Sequence, residues 1–383
     1  MRVALVDPSL FTLPYDCALA NSLTRLGHDV VLYGRNVAAN ENRPSGVRLD
    51  PAFYRVAGNP VVAGLPSRLR LAAKGVDHVW SMLRLPGRLR ALQPDVVHFQ
   101  WLPLPVVDRR LLQFYSRIAP LVLTMHDTAP FNGNPSARLQ TVGYFDCIDR
   151  MNHVIVHTEQ GRARLHALGV APDHISVVPH GGKACGADIA DDPMQGILTF
   201  TSFGKIQPYK GADILIEAFA LLPEALQRES RVRIIGRPYM DLAPLHALAE
   251  ARGVAAFVSI EPGFVRDEDL PSVFAPGSVA VFPYRVIDAS GVLFQALEFG
   301  RPILASRIGA FAELLEDGTH GRLVAPEDPE KLAAAMAQFI TDRTFASGAA
   351  RAVRLLSRTG GGGDWMDSAT RTAEVYARVN AKA

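Results

Sequence analysis

Short runs of aliphatic and β-branched residues alternate along the chain with stretches whose apolar positions recur every three to four residues. Val3–Val6, Val30–Tyr33, Val96–Phe99, Leu121–Thr124, Val154–Val156 and Ile175–Val178 form a first series of runs. Ile197–Phe203, Val232–Ile235, Ala256–Ile260, Val279–Phe282 and Ile303–Ala305 form a second. Runs that are apolar at consecutive positions, not alternate ones, predict strands buried on both faces. Tyr15–Leu26, Ala212–Leu222, Leu242–Ala251 and Pro329–Ile340 carry helical periodicity between them. Strand and helix in alternation predict an α/β architecture of doubly wound parallel sheets with helices on both faces.

The pattern breaks twice. Around Ala184–Gly196, Gly182, Gly186, Asp188, Asp191, Asp192 and Pro193 cluster without apolar periodicity, dividing the chain into a first domain over 1–185 and a second over 186–360. The run Gly360–Gly363 then opens a third segment, 361–383, with a helical tail from Asp364 to Val379. No strand precedes those glycines, so they read as a flexible joint and not as a phosphate loop. A chain of 383 residues exceeds what one core organises, in keeping with two domains.

Composition then narrows the function classes. With 48% hydrophobic residues and a formal net charge of +2, the chain is neither disordered nor basic enough for general nucleic-acid binding. Cys17, Cys147 and Cys185 are far apart and odd in number, which argues against a disulfide framework or a zinc site. No His, Asp and Glu set has metal-ligand spacing. Met1–Pro8 reads as a buried strand and not a signal peptide, and no run nears the ~20 apolar residues that span a bilayer. The expectation is a cytoplasmic protein that at most touches the inner face of a membrane.

Open parallel sheets bind ligands beyond the carboxyl ends of their strands. That rule selects Asp7–Tyr15, which includes Ser9, then His98–Trp101, His126-Asp127, Gly204–Lys210, Gly236-Arg237, Tyr284–Gly291 and Arg307–Phe311. In Phe203-Gly204-Lys205-Ile206-Gln207-Pro208-Tyr209-Lys210-Gly211 a strand enters a glycine turn with two lysines, the second at a helix entrance. Free N–H groups at a helix start and ammonium charges both favour a diphosphate. In Pro283–Gly300 a helix begins near Ser290-Gly291, small residues that let a phosphate or sugar approach the backbone, with Asp288 just ahead. Simple capping by Ser290 accounts for the same residues equally well.

Together these stretches resemble glycosyltransferase family 4 (group 1), the retaining group with the GT-B fold. The resemblance continues through Gln295-Ala296-Leu297-Glu298-Phe299-Gly300-Arg301-Pro302-Ile303-Leu304-Ala305-Ser306, Gly309, Glu313 and Gly321-Arg322-Leu323-Val324-Ala325-Pro326-Glu327-Asp328. Pro94–His98, Thr124–Asp127 and Val177–Gly181 match the family more loosely, and Trp365 with the last helix resembles its C-terminal segment, which packs back on the first domain. The resemblance implies two Rossmann-like domains facing a cleft, the first for the acceptor and the second for a nucleotide sugar.

Carried over residue by residue, it assigns Lys205 and Lys210 to the donor diphosphate and leaving nucleotide, and His126 to the sugar. Ser290, Gly291 and Val292 amides hold phosphate or sugar, Gln295 the ribose, and Phe264 and Val265 the base. Gly204 and Arg237 complete the donor side, and Ser9, Tyr15, Trp101 and Asp127 the acceptor side. The implied reaction moves a sugar from a nucleoside diphosphate sugar to a hydroxyl of a glycan or lipid-linked saccharide. It needs neither metal nor resident cofactor and involves no nucleic acid.

The chain departs from the family pattern at several places, among them the family's early Gly-Gly loop, where Pro8-Ser9-Leu10-Phe11 stands instead. Ile287 stands where the motif's first glutamate belongs, with Asp288 as its candidate replacement; Gln295 replaces the second; Lys205 replaces an arginine. These departures keep open a catalytically silent nucleotide-sugar-binding protein and a GT-B epimerase or phosphorylase. No G-x-G-x-x-G follows the first strand, which disfavours a nicotinamide dehydrogenase.

Over 65–92, Leu65, Leu69, Ala72, Val76, Trp80 and Leu83 recur at helical spacing, and Arg68, Arg70, Lys74, Arg84, Arg88 and Arg90 are opposed only by Asp77. This stretch is either a surface helix packed on the first domain or a peripheral membrane contact for an anionic leaflet.

Overall fold

The computed structural model describes residues 1–37, 45–56, 59, 62, 64, 66–128, 142–186, 194, 196–359 and 363–382. Gly360–Gly362 of the glycine run, Asp188, Asp191, Asp192 and Pro193 of the break, and Leu65 lie outside the described residues. The chain divides into two compact units. The first takes the described residues from Met1 to Gly181 together with Trp365 onward, and the second takes Gly182–Asp364.

The first unit is built on a parallel sheet of β1 (Arg2–Val6), β2 (Asp29–Arg35), β3 (Arg48–Phe53), β4 (Val96–Phe99), β5 (Leu121–Met125), β6 (His153–Val156) and β7 (Ile175–Val177). Their order is β3-β2-β1-β4-β5-β6-β7. Consecutive apolar positions are buried on both faces because helices cover both. One face packs on Leu85, Leu89, Leu112 and Tyr115, the other on Leu19, Leu23, Val375 and Tyr376. The last two belong to the C-terminal helix Trp365–Ala381, which is part of this unit. Ser368 Oγ donates to the Pro179 carbonyl at 2.8 Å, and Tyr376 Oη lies 2.7 Å from His98 Nδ1. His98 therefore anchors sheet to helix.

The second unit repeats the plan with β8 (Leu198–Phe203), β9 (Ser230–Gly236), β10 (Val258–Pro262), β11 (Ser278–Phe282), β12 (Ile303–Ser306) and β13 (Gly321–Val324), ordered β10-β9-β8-β11-β12-β13. In both units the strand order reverses beside the first strand, which places a switch point between β1 and β4 and another between β8 and β11.

Three elements escaped the apolar pattern. β3 contains Asp50-Pro51, and it lies at the sheet edge, where a proline costs no ladder bond. β13 has only two large apolar side chains, Leu323 and Val324; a Cβ on Gly321 would lie 1.8 Å from the Ile303 carbonyl oxygen, so glycine is required. The helix Arg343–Arg358 buries mainly small residues, Ala346, Ala349, Ala350 and Ser357, which give a weak hydrophobic signal. Asp342 starts it by accepting the Phe345 N–H at 2.9 Å.

The helix Ser67–Leu92 turns an unexpected face inward. His78, Ser81, Met82, Leu85 and Leu89 are buried, whereas Leu69, Val76, Trp80 and Leu83 of the apolar stripe are each about half exposed or more. Asp77 is buried and accepts the Val56 N–H at 2.8 Å, and Arg88 pairs with Asp50.

Candidate functional site

At the switch point of the second unit, backbone crossings bring the two motif stretches together. Gly204 has φ +113° and Gly236 φ +144°, and a Cβ on Gly236 would lie 1.7 Å from the Gly204 carbonyl oxygen. Gly204 N–H donates to Ile235 at 3.0 Å and Ile206 N–H to Arg237 at 2.9 Å, so the loops after β8 and β9 run zipped together. Gly211, at φ +67°, passes β11 so closely that a Cβ would meet the Pro283 carbonyl oxygen at 2.0 Å. The glycines are there because two backbones occupy the space a side chain would need.

That crossing buries Lys210. Its ammonium donates to Tyr284 Oη at 2.9 Å, and Tyr284 in turn is hydrogen-bonded by Ser290. Burial holds the Lys210 pKa below its ordinary value and pushes the Tyr284 phenol up. The position of a Gly204 Cβ is 3.2 Å from Lys210 Nζ and 3.0 Å from Val292 Cγ2. Gly204, Lys210, Ser290 and Val292, from two separate stretches of the unit's sequence, thus converge.

Ser290 stands at the N-terminal boundary of the helix Gly291–Glu298, yet its side chain makes no capping bond. Its hydroxyl is committed to Tyr284, so simple capping does not explain the residue. The first amides of that helix stay clear of it, and Gly291 is exposed.

The exposed cations Lys205 and Arg237 share one aromatic platform, 5.7 and 5.6 Å from the Tyr239 ring centre. Gly263 N–H donates to the Gly236 carbonyl at 3.0 Å, which sets Phe264, about half exposed, beside the β9 loop. Val265 packs into the cluster around Phe203, Tyr284 and Phe294. Gln295 is half-buried on the helix; Glu298, one turn on, is raised in pKa by burial, with Lys183 3.9 Å away.

Asp288 is 2% exposed. Its carbonyl accepts the Ala310 N–H at 2.7 Å, and a Cβ on Gly309 would meet the Ile287 and Asp288 carbonyl oxygens at 2.4 Å. The residue is roofed by the start of the helix Gly309–Leu314.

Arg285 lies in the selected stretch Tyr284–Gly291 but was given no role. It pairs with Asp213 through two hydrogen bonds of 3.0 and 2.6 Å, donates to the Pro208 carbonyl at 2.6 Å, and its backbone N–H donates to Tyr209 at 2.8 Å. It ties the Lys210 turn to the end of β11. Tyr284 also went unassigned, although both residues directly follow a strand, the position that marks candidates in this architecture.

In the first unit, the carboxyl ends of β1, β4 and β5 carry an aromatic group. Tyr15 meets His126 edge-on at 4.7 Å and Trp365 at 5.1 Å, and Trp101 stacks on His126 at 5.3 Å and 15°. His126 Nε2 lies 3.0 Å from the Gln100 side-chain amide, and Nδ1 lies 3.1 Å from His157 Nε2. His157 Nδ1 donates to the Val178 carbonyl at 2.9 Å. Burial, then the neighbouring His157, holds His126 well below the usual histidine range. Both of its nitrogens are engaged, which holds the ring in a fixed plane. Gln100 and His157, which hold it, gave no motif signal of their own.

Trp101 Nε1 donates to Thr12 Oγ1 at 3.0 Å. Asp7 accepts the Ser9 and Thr12 N–H groups at 3.2 and 3.1 Å, and Asp16 is buried beside it. Burial, then the charge of Asp7, pushes Asp16 far above the usual carboxylate range. Asp127 is half-buried after β5.

Comparisons with known proteins agree with this architecture. Residues 17–181 match the model of Glycosyltransferase Family 4, and residues 197–342 that of Glycosyl transferases group 1. A D-inositol 3-phosphate glycosyltransferase from Thermobispora bispora is 26% identical over 94% of this chain and 88% of its own length. D-inositol 3-phosphate glycosyltransferase 2 from Catenulispora acidiphila is 29% identical over 68% of this chain and 65% of its own.

Among solved structures, HepE from Anabaena in complex with UDP and glucose superposes with a TM-score of 0.76 at 16% identity, covering 99% of this chain and 100% of HepE. Sucrose-phosphate synthase from Thermosynechococcus elongatus gives 0.77 at 16%, covering 100% of each chain. At that identity the likeness establishes the fold, a pair of Rossmann-like α/β units of the GT-B type. With one family model on each unit and the same fold throughout, the chain belongs to the group 1 glycosyltransferases of family 4.

Proposed function

We propose that this glycosyltransferase takes its sugar from a nucleoside diphosphate sugar and transfers it, with retention, to a hydroxyl of a glycan or lipid-linked saccharide. The observation that carries this reading is the convergence of Gly204, Lys210, Tyr284 and Ser290 at the second switch point. Lys210 is an ammonium held under a desolvation penalty, and an arriving diphosphate relieves it, so donor binding and Lys210 protonation reinforce each other. Lys205 and Arg237 add exposed charge, the Ser290–Val292 amides meet phosphate or sugar, and Gln295 offers its amide to the ribose. Asp288, buried beneath Gly309 just ahead of that helix, is the candidate for the acidic role at the donor. HepE, which binds UDP and glucose, shares this fold and supports the reading. In the first unit, half-buried Trp101, stacked on the His126 ring that Tyr15 packs against, offers a flat face suited to the apolar face of a sugar, with Asp127 nearby and Ser9 in the loop beside it.

A thermal-shift panel of UDP, GDP, ADP and their common sugar conjugates tests the proposal. A nucleotide at ~100 times its dissociation constant should stabilise the protein by roughly 2.7 kcal/mol. Stabilisation by one base supports the reading and names the donor; none from any nucleotide removes its basis.

A second reading concerns where the acceptor is met. The stripe Leu69, Val76, Trp80 and Leu83 faces solvent, and Arg84 lies over the Trp80 ring at 4.5 Å. With Arg68, Arg70 and Arg90 exposed along the same helix, we propose peripheral binding to anionic lipid. Sedimentation with phosphatidylglycerol vesicles should capture the protein, and replacing Arg68, Arg70 and Arg84 by glutamate should release it. Capture that survives those replacements contradicts the idea. Among the described residues, no helix is long and apolar enough to cross a membrane.

A further inference from the structure

A buried polar chain runs through the first unit apart from His126. Ser9 Oγ donates to Tyr54 Oη at 3.2 Å, Tyr54 Oη lies 3.1 Å from His78 Nδ1, and His78 Nε2 lies 2.7 Å from Asp108 Oδ1. Asp108 Oδ2 accepts the Leu104 N–H at 2.9 Å. None of the four side-chain owners is more than 7% exposed. They come from the loop after β1, the residue after β3, the helix Ser67–Leu92 and the helix Pro105–Tyr115. A buried chain of this kind is costly unless every member is satisfied, and here every link is made.

The direction of each bond follows from the inventory of donors. A carboxylate only accepts, so His78 donates from Nε2 to Asp108. Ser9 gives its hydroxyl proton to Tyr54, whose oxygen meets His78 Nδ1. The Ser9 proton is committed inward, and its oxygen has only lone pairs left to offer.

The same link is flanked by strained backbone. Leu10 and Tyr54 are non-glycine residues with φ of +50° and +54°. Gly34 makes room for the first, since a Cβ there would come within 2.3 Å of Leu10 Cδ2. Ser9 is further held by its N–H to Asp7 at 3.2 Å and by Arg35 Nε to its carbonyl at 2.9 Å. Strain of this kind persists only where surrounding contacts over-determine it, and it gathers at ligand-binding edges. The loop lies at the first switch point.

We infer that Asp108, His78 and Tyr54 are positioning residues that hold the Asp7–Thr12 loop and aim Ser9 Oγ as a hydrogen-bond acceptor toward a hydroxyl of the acceptor substrate. The inference rests on the reading of the first unit as the acceptor side. It selects for a donor group at this point, a sugar or polyol hydroxyl, and against a phosphate or carboxylate oxygen.

Tyr54→Phe removes one oxygen and keeps the ring. Two readouts follow the loop and its function. The Trp101 indole N–H, bonded to Thr12 at the far end of the same loop, is followed by water exchange in ¹⁵N NMR, with the indoles of Trp80 and Trp365 as internal references. KM is measured separately for the donor and for D-inositol 3-phosphate as acceptor probe. Exchange at Trp101 should quicken by about tenfold, and acceptor KM should rise by about tenfold with donor KM unchanged. His78→Gln, which keeps one donor and one acceptor, should restore most of what His78→Leu loses. Unchanged Trp101 exchange in Tyr54→Phe, or no advantage of glutamine over leucine at 78, overturns the inference. If nucleotides fail to stabilise the wild type, the donor reading fails, and the Trp101 exchange still decides the loop's positioning independently.

Discussion

Lys210→Ala is expected to lower kcat/KM for transfer by about 10²–10³-fold and to abolish most nucleotide-induced stabilisation. The reason lies in where the ammonium is kept. Lys205 is exposed and screened by water, whereas Lys210 is 8% exposed and fixed on Tyr284. A preorganised charge in a dry site acts more strongly on a developing phosphate charge than a hydrated one. Lys205→Ala should therefore cost only about tenfold. Lys210→Arg should not rescue activity, because the planar guanidinium cannot fit the space an ammonium occupies beside Gly204. Steady-state kinetics on the three variants, with thermal shifts for binding, measures this. Equal losses at 205 and 210 would show that burial gives Lys210 no special role.

Mild acid should destabilise the first unit. His98 is fully buried, and burial lowers its pKa to about 3 from an ordinary value of 6.5. His126 is shifted in the same direction. As pH falls below about 6.5 the unfolded chain takes up protons that the folded chain refuses, so stability is whole above that point and declines toward pH 3. His98 alone then accounts for roughly 1.4 kcal/mol per pH unit, and His126 steepens the slope. Urea unfolding between pH 7.5 and 5 reads the slope, and His98→Asn should remove about one proton's worth of it. Stability flat across this interval would show that the imidazoles find protons without unfolding.

How much of this was legible in the sequence depends on the physics behind each feature. Strands buried on both faces announce themselves as apolar runs, so most of both sheets could be placed, and with them the loops where ligands bind. β3 and β13 could not, because edge strands need little apolar surface. The helix Arg343–Arg358 hid behind alanine and serine. The stripe from Leu69 to Leu83 was visible, but its direction was not. Periodicity shows that one helix face is apolar, and the polar face can still be the buried one when His78 finds Asp108 and Tyr54.

The candidate site divides along the same line. The glycine turn with its lysines and the small residues at Ser290-Gly291 were legible because a backbone that must approach a ligand or another backbone restricts residue choice locally. That Lys210 is the buried cation, that Ser290 serves Tyr284 and not its own helix, and that Arg285 braces the turn depend on contacts between segments some 75 residues apart. The sequence by itself determined the fold and the family and singled out candidate loops, since these follow from periodicity and local backbone demands. Only the tertiary structure decided which side chains lose water and which hydrogen-bond partners they meet. Desolvation and long-range pairing are properties of the packed chain, and no local pattern encodes them.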